Sequence, residues 1–395
     1  MTRRRDRLRD YLSLERNVLA VSAAVLLLGL GEELWKRFLP KYLEALGAGP
    51  AVIGFFGTTR DFFDAIYQYP GGWLADHLGR RRAFLAFVGL ASIGYLIYLL
   101  SPSWPFVFVG LSLSMAWNSM ASPAIFATIG DALPRERWAM GFTLQSMLKR
   151  APMAAAPLIG GALIAATDVR TGVRMGLAIT LVLAATSVLV VRRINLPVIK
   201  GAGTNIRGVW RSFHHALKRL LVSDIIIRTC EGMTDILIIL YVTNVLGVSV
   251  ARYGVLVAVQ LTTSILVYIP AARIAGRIGR KPFVIATFIC FAFFPIAVVL
   301  SNGFGWLVLA FVVGGLREIG EPSRKAMIVD FAEPHLRARS VGLYYLVRTL
   351  SITPAAAVGG LLWQIAPQVP FITAGIIGLV GTFVFAATVE ERYAS

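Results

Sequence analysis

The chain has 395 residues, of which 57% are hydrophobic and 15% charged, against roughly 45–50% apolar and about 25% charged in soluble domains, which excludes a water-soluble fold. Its net charge of +18 does not mark a nucleic-acid binder, because the basic residues recur at alternate ends of apolar segments. Two cysteines, Cys230 and Cys290, both inside apolar segments, give neither a disulfide framework nor a metal cluster.

Apolar runs of about 20 residues, enough to cross a bilayer, are predicted at 18–45, 50–75, 83–102, 105–131, 139–166, 173–191, 222–246, 250–276, 283–300, 304–330, 339–365 and 369–388. They are spans 1 to 12 of an expected all-α membrane protein. Met1 to Asp10 is too charged for a signal core, and no cleaved signal peptide is expected. Arginine and lysine crowd the start, the connection after span 2 (Arg80 to Arg82), those after spans 4, 8 and 10, and the segment between spans 6 and 7. Connections such as Ser101 to Pro105, Ser301 to Gly305 and Ala366 to Pro370 carry none. The positive-inside rule then places both termini in the cytoplasm of a multi-pass cell-membrane protein.

Span 1 begins as hydrocarbon and turns polar at Glu32, Glu33, Lys36 and Arg37. Near the outer face Lys36 and Arg37 are expected to snorkel. The two glutamates either pair with them at i+3 and i+4 or line a solute pathway. Span 2 carries Arg60, Asp61 and Asp64, the first two about 15 Å deep. A charge there costs at least about 2.5–3.5 kcal/mol, so these residues either face a polar cavity or neutralise one another, Arg60 with Asp64.

From Gly47 to Arg82 the chain repeats itself. Leu46-Gly47, Ala51, Gly54, Pro70, Ala75, Gly79 and Arg80 return without a gap as Leu246-Gly247, Ala251, Gly254, Pro270, Ala275, Gly279 and Arg280. A duplicated unit of six spans is expected. Within the first copy, Gly72-Trp-Leu-Ala-Asp76-His77-Leu-Gly79-Arg80-Arg81-Arg82 resembles the cytoplasmic signature loop of the major facilitator superfamily, G-x-x-x-D-R-x-G-R-R, with His77 in place of the first arginine. The resemblance implies that superfamily's fold: twelve transmembrane helices in two pseudo-symmetric bundles, here 1–195 and 222–395, joined by a cytoplasmic linker at 196–221. It also implies a cytoplasmic latch that breaks during transport, Arg80 with Asp131 and Arg280 with Asp330, alongside Asp76.

Span 4 lacks the membrane arginine of many drug exporters in that superfamily. Ala156-Pro157-Leu-Ile-Gly160-Gly161 in span 5 resembles its G-P-x-x-G-G antiporter motif, with Gly359-Gly360 at the matching place of the second copy. Close helix packing accounts for such small residues equally well. Lys149 and Arg150 lie about 15 Å from the inner boundary. In the linker, Ile206, Val209, Trp210, Phe213, Leu217 and Leu220 fall on one face and Arg207, Arg211, His214, Lys218 and Arg219 elsewhere, the pattern of a helix lying on an anionic leaflet.

Span 7 places Arg228, Glu231 and Asp235 at i, i+3 and i+7, on one face. Span 10 carries Arg317, Glu318, Glu321, Arg324 and Lys325 around Pro322, which is expected to kink it. Span 11 places Arg348 about 15 Å up. The four histidines, His77, His214, His215 and His335, fall in connections, and there is no P-loop. An enzyme, a metal site, a nucleotide and a cofactor are therefore not expected.

The remaining chemistry is that of ionisable residues inside the membrane. Solute-binding candidates are Arg60, Asp61, Lys149, Arg150, Arg317, Glu318 and Arg348. Proton-coupling candidates are Glu231, Asp61, Glu33 and Asp235, since burial favours a neutral carboxylate. Basic residues outnumber acidic ones near the midplane, which points to an anion-bearing, amphipathic organic solute. By resemblance the solute moves by alternating access, and proton-coupled export is expected of a monomer whose partners are solute, protons and lipids. Uptake symport, facilitated diffusion, lipid transport and a receptor that has lost transport stay open.

Overall fold

The computed structural model describes residues 16–78, 80–117, 154–192, 210–211, 213–331 and 337–390. Every regular element among them is helical: α1 Arg16–Trp35, α2 Leu39–Ala45, α3 Pro50–Leu78, α4 Arg80–Leu100, α5 Trp104–Met115, α6 Ala154–Ala166, α7 Val169–Val191, α8 His215–Thr234, α9 Ile238–Leu240, α10 Val250–Ile278, α11 Lys281–Val299, α12 Phe304–Leu316, α13 Glu321–Asp330, α14 Arg337–Ile352, α15 Ala355–Leu362 and α16 Val369–Thr388. Six helices among the described residues are long and apolar enough to cross a membrane. Large apolar side chains such as Leu266, Phe383 and Trp306 remain exposed on the helices, as lipid-facing residues must.

The chain divides into two compact units, Met1–Gly47 with Phe63–Ala202, and Ala48–Phe62 with Gly203–Ser395. The two share a set of helix pairings. In the first, α1 lies along α7 and α4 along α5; in the second, α8 lies along α16 and α11 along α12. The turns before α3 and α10 both rest on a glycine of positive φ, Gly47 at 94° and Gly247 at 67°, a conformation in which a Cβ is strained. The first turns of α3 pack on α15 within the second unit, where Thr58 Oγ1 accepts from the Ala357 backbone N–H at 2.9 Å.

The glycines of the antiporter-like motif and their counterparts have a packing role. A Cβ on Gly160 would fall on the Leu34 carbonyl oxygen, and one on Gly359 would fall on that of Met233. Each contact is the same helix pair in its own copy. Gly160→Ala and Gly359→Ala should each destabilise the protein by about 1–3 kcal/mol through overpacking, read as a lower unfolding temperature. Unchanged unfolding temperatures would return these glycines to a role in transport alone.

Three spans of the second unit are interrupted where the sequence predicts continuous helix. Span 7 stops at Thr234, with Asp235 as C-cap, before a short helix and a π-turn at Tyr241–Val245. Span 10 breaks over residues 317–320, and Pro322 opens its second half instead of kinking an unbroken rod. Span 11 breaks at Thr353-Pro354. Proline is tolerated in the first turn of a helix because its missing N–H has no intrahelical partner there. Span 1 breaks similarly into a 3-10 turn at Lys36–Phe38.

Phe213, Leu217 and Leu220, assigned from sequence to a leaflet-bound helix, are buried with Met327, Ile328, Tyr344 and Phe385. Leu217 and Leu220 sit in the first turns of α8, which starts seven residues before the predicted boundary of span 7 at residue 222. An apolar stripe at helical spacing can be covered by protein as well as by lipid, and here these three side chains are covered by the core of the second unit. The C-terminal end of α16 is finished by two cations: Arg219 donates to the Thr388 carbonyl at 3.2 Å and Lys281 to that of Ala386 at 2.8 Å, complementing the helix dipole. In the first unit, Asp168 caps the start of α7. Hydrogen bonds from Thr171 hold its carboxyl below the ordinary range, so this cap is present at neutral pH and is lost as pH falls through the lowered value.

Candidate functional site

Because α8 runs unbroken from His215, Asp224, Arg228 and Glu231 project from one face at i, i+4 and i+7. The broken span 10 brings Arg317 from the end of α12 and Glu321 and Arg324 from the start of α13, and α14 brings Tyr344 and Arg348. These groups form one alternating line. Arg348 Nη1 lies 3.6 Å from Asp224 Oδ2, which accepts from Arg324 Nη1 at 2.5 Å and from the Tyr344 hydroxyl at 2.9 Å. Arg324 grips Glu321 with two hydrogen bonds, Nε to Oε1 at 3.1 Å and Nη2 to Oε2 at 2.8 Å. Arg228 donates to Glu321 and, at 2.6 Å, to Glu231, whose other oxygen lies 3.5 Å from Arg317 Nη1.

The line starts and ends in arginine: among the described residues, four guanidinium groups face three carboxylates. Its centre is closed, with Asp224 fully buried, Arg324 1% exposed and Glu321 4% exposed. Such charges persist in a dry interior only when paired and hydrogen-bonded. Its ends are looser, being ion pairs beyond ideal hydrogen-bond distance. Arg317 is steadied by the Gly314 carbonyl at 2.9 Å and by the faces of Phe291 and Phe294, and Arg348 stacks on Tyr345 with its guanidinium carbon 4.7 Å from the ring centre. Three polar atoms in the line are buried without a hydrogen bond: Asp224 Oδ1, Arg228 Nε and Arg348 Nε.

Of the residues singled out from sequence, this line contains Glu231, Arg317 and Arg348. Asp235, the C-cap of α8, keeps helical dihedrals and donates its backbone N–H to the Glu231 carbonyl, so it stays in register with Arg228 and Glu231, but its carboxylate lies 3.9 Å from Arg60. Arg60 also donates to Asp61 at 3.1 Å, so its charge is shared with the neighbouring residue and with the end of span 7. Glu318 sits in the break beside Arg317. In the first unit Glu33 is buried 3.6 Å from Arg37, whereas Glu32 takes the Tyr95 hydroxyl at 2.6 Å. At the far ends of spans 8 and 10, Arg280 donates to Asp330. Lys149, Arg150 and Asp131 lie outside the described residues, as do the side chains of Asp76 and Arg80.

Sequence reasoning passes over Asp224, Glu321, Arg324 and Tyr344 as site residues. Asp224 stands too near a predicted membrane boundary to count as buried, and Glu321 and Arg324 read as charges flanking a kink. The i, i+4, i+7 spacing of Asp224, Arg228 and Glu231 is the signal that could have found them. Among the described residues no group of three His, Cys, Asp or Glu could hold a metal ion.

Long apolar helices, a duplicated packing scheme and a buried charge line define an all-α integral membrane protein. Comparison with known proteins agrees with this class. The family model of the Major Facilitator Superfamily matches residues 21–230 and again 220–395, and the chain belongs to that superfamily of transporters, with its fold of twelve spans in two six-helix bundles. It is similar to the uncharacterized MFS-type transporter MJ1317 of Methanocaldococcus jannaschii, 23% identical with 93% of each chain covered. It also resembles the multidrug resistance protein MdtG of Enterobacter lignolyticus, 25% identical over 70% of this chain and 68% of that one. Among solved structures, a mutant form of the nucleoside transporter NupG superposes with a TM-score of 0.82 at 14% identity, covering 95% of this chain and 100% of that one. A POT family transporter in complex with a thioalcohol conjugated peptide does so at 0.79 and 15%, covering 95% and 97%.

Proposed function

We propose that this protein is a secondary active transporter that moves a small organic solute bearing an anionic group by alternating access, coupled to protons through Glu231. The observation that carries this reading is the charge line, in which four arginines face three carboxylates. The excess positive charge has no counter-ion among these groups, and a solute oxyanion supplies one. A proton on Glu231 makes the line more positive and so strengthens its hold on an anion. Electrostatics therefore favours solute and proton travelling together. Proton-coupled export is the second reading, favoured by the likeness to multidrug resistance proteins; it requires the proton to displace the solute.

In this reading both termini face the cytoplasm, by the distribution of basic residues among the connections, and the monomer is the working unit. Arg280 with Asp330 and Arg80 with Asp131 act as latches at the cytoplasmic rim, with Asp76 beside them. Since the Arg280 and Asp330 side chains are 39% and 38% exposed, their pair contributes only about 0–1 kcal/mol to stability. Asp330→Asn should leave the unfolding temperature and solute affinity nearly unchanged while slowing transport several-fold. An equal loss of affinity would place Asp330 in the binding machinery instead.

The reading is tested by exchange of labelled benzenesulfonate, a permanently charged oxyanion, in proteoliposomes loaded with a panel of aromatic and aliphatic oxyanions. Unlabelled oxyanions should compete and benzyltrimethylammonium should not. Competition by the cation alone would reverse the assignment of solute charge.

A further inference from the structure

The loose end of the charge line at Arg348 differs from every other arginine in it. Arg324, Arg228 and Arg317 each donate at least one hydrogen bond, whereas Arg348 is held by a 3.6 Å ion pair and an aromatic face, and its buried Nε–H has no acceptor. The Nε and Nη2 edge of a guanidinium is a two-pronged donor matched to two oxygens of a carboxylate, sulfonate or phosphate. One residue away along the line stands a second incomplete contact. Asp224 Oδ1 and Arg228 Nε, one turn apart on α8, are 3.9 Å from each other, and both are buried without a hydrogen bond.

We infer that Arg348 anchors the oxyanion of the solute, and that Asp224 and Arg228 form the relay that reports its arrival to Glu231. This rests on the anion-transport reading above and adds to it a site and a coupling path. The solute's oxygens occupy the Nε edge of Arg348 and loosen its hold on Asp224. With that pull on Oδ2 weakened, the Asp224 carboxylate pivots about its remaining bonds from Arg324 and Tyr344 to Oδ2, and its other oxygen, Oδ1, closes on Arg228 Nε, a movement of about 1 Å to hydrogen-bond length. Arg228 then shares less of its charge with Glu231, three residues further along the same helix, and Glu231 accepts a proton. Departure of the solute reverses each step. No covalent bond is made or broken apart from the proton's.

The groups facing Glu231 and the relay are few. From α8 and its C-cap they are Arg228, Asp224, Cys230 and Asp235; from the broken span 10, Arg317, Glu318, Glu321, Arg324 and Lys325; from α14, Tyr344, Tyr345 and Arg348; from α11, Cys290. The packed helices α15 and α16 bring no charged residue within their own spans. Glu321 and Arg324 hold each other through two hydrogen bonds and fix the geometry around which the looser groups move.

The test uses the purified full-length protein in lipid nanodiscs and follows its unfolding temperature with benzenesulfonate, benzyltrimethylammonium or benzyl alcohol. Benzenesulfonate should stabilise the wild type by mass action, more strongly as pH falls, and the other two should not. Arg348→Gln should lose this response, and Arg348→Lys, which keeps the charge without the fork, should bind roughly tenfold more weakly. Arg228→Gln with Glu321→Gln, a pair that removes opposite charges together to preserve folding, should still bind benzenesulfonate but with its pH dependence flattened. Asp224→Asn with Arg324→Gln removes the carboxylate that competes for Arg348 and should bind severalfold more tightly. Stabilisation by the cation alone, or by none of the three, overturns both the anion reading and this inference. Stabilisation by benzenesulfonate that survives Arg348→Gln overturns the anchor while leaving the anion reading intact, and unaltered pH dependence in the Arg228 and Glu321 pair variant overturns the relay.

Discussion

Arg324→Gln should be the most destabilising single substitution in the second unit, costing about 3–5 kcal/mol. Arg324 is 1% exposed and is the hub of the charge line, with two hydrogen bonds to Glu321 and one to the fully buried Asp224. Removing it leaves two carboxylates in the interior with one fewer cation between them. Arg228 is the nearest replacement, but it is already shared between Glu321 and Glu231. If uncompensated charge is the cause, Asp224→Asn on the Arg324→Gln background should recover a large part of the loss, because a neutral amide costs less to bury than a bare carboxylate. Thermal unfolding of the three purified variants measures this. A double variant less stable than Arg324→Gln would show that packing of the guanidinium, and not charge balance, is what the site requires.

The fold was legible in the sequence to the extent that it depends on two simple regularities. Apolar length located the spans, and the offset between Gly47 and Gly247 revealed the duplication, since a turn of positive φ favours glycine at both places. The helix breaks were not legible. Asp235 to Leu237 carries no proline, and the prolines at the other two breaks, Pro322 and Pro354, do not by themselves say whether a helix kinks or stops. The site was legible in part. The depth of Arg348 and Glu231 along their spans followed from distance, whereas Asp224 became a site residue only because α8 begins seven residues earlier than hydropathy indicates. The basic, amphipathic run around Leu217 misled in the opposite direction, since amphipathicity does not say whether the apolar face meets lipid or protein.

Glu231→Gln should abolish the response of transport to an imposed pH gradient while keeping solute binding and exchange. In the proposed coupling, Glu231 is the carboxylate assigned to carry the proton. It is the last acidic member of the line, more exposed than Asp224 or Glu321 at 27% of its side chain, and one of its two arginine contacts, with Arg317, is 3.5 Å long. Glutamine keeps the shape and one acceptor oxygen, which can still take the Arg228 hydrogen bond, gives up the longer contact with Arg317, and can no longer alternate between charged and neutral forms. The line then carries one more positive charge at every pH, so an anionic solute should bind at least as tightly as to the wild type and lose its pH dependence. A fully retained response to the gradient would move the proton site to Asp61, Glu33 or Asp235, or make the transporter uncoupled.

The most direct measurement places wild-type protein in proteoliposomes enclosing a pH-sensitive dye, at equal pH on both sides, and adds benzenesulfonate outside. Transport together with protons predicts that the interior acidifies as the sulfonate enters, with the signal absent in Glu231→Gln and in protein-free vesicles. Sulfonate entry accompanied by alkalinisation would establish exchange against protons and the export reading, and labelled sulfonate entry with no pH change at all would contradict proton coupling altogether.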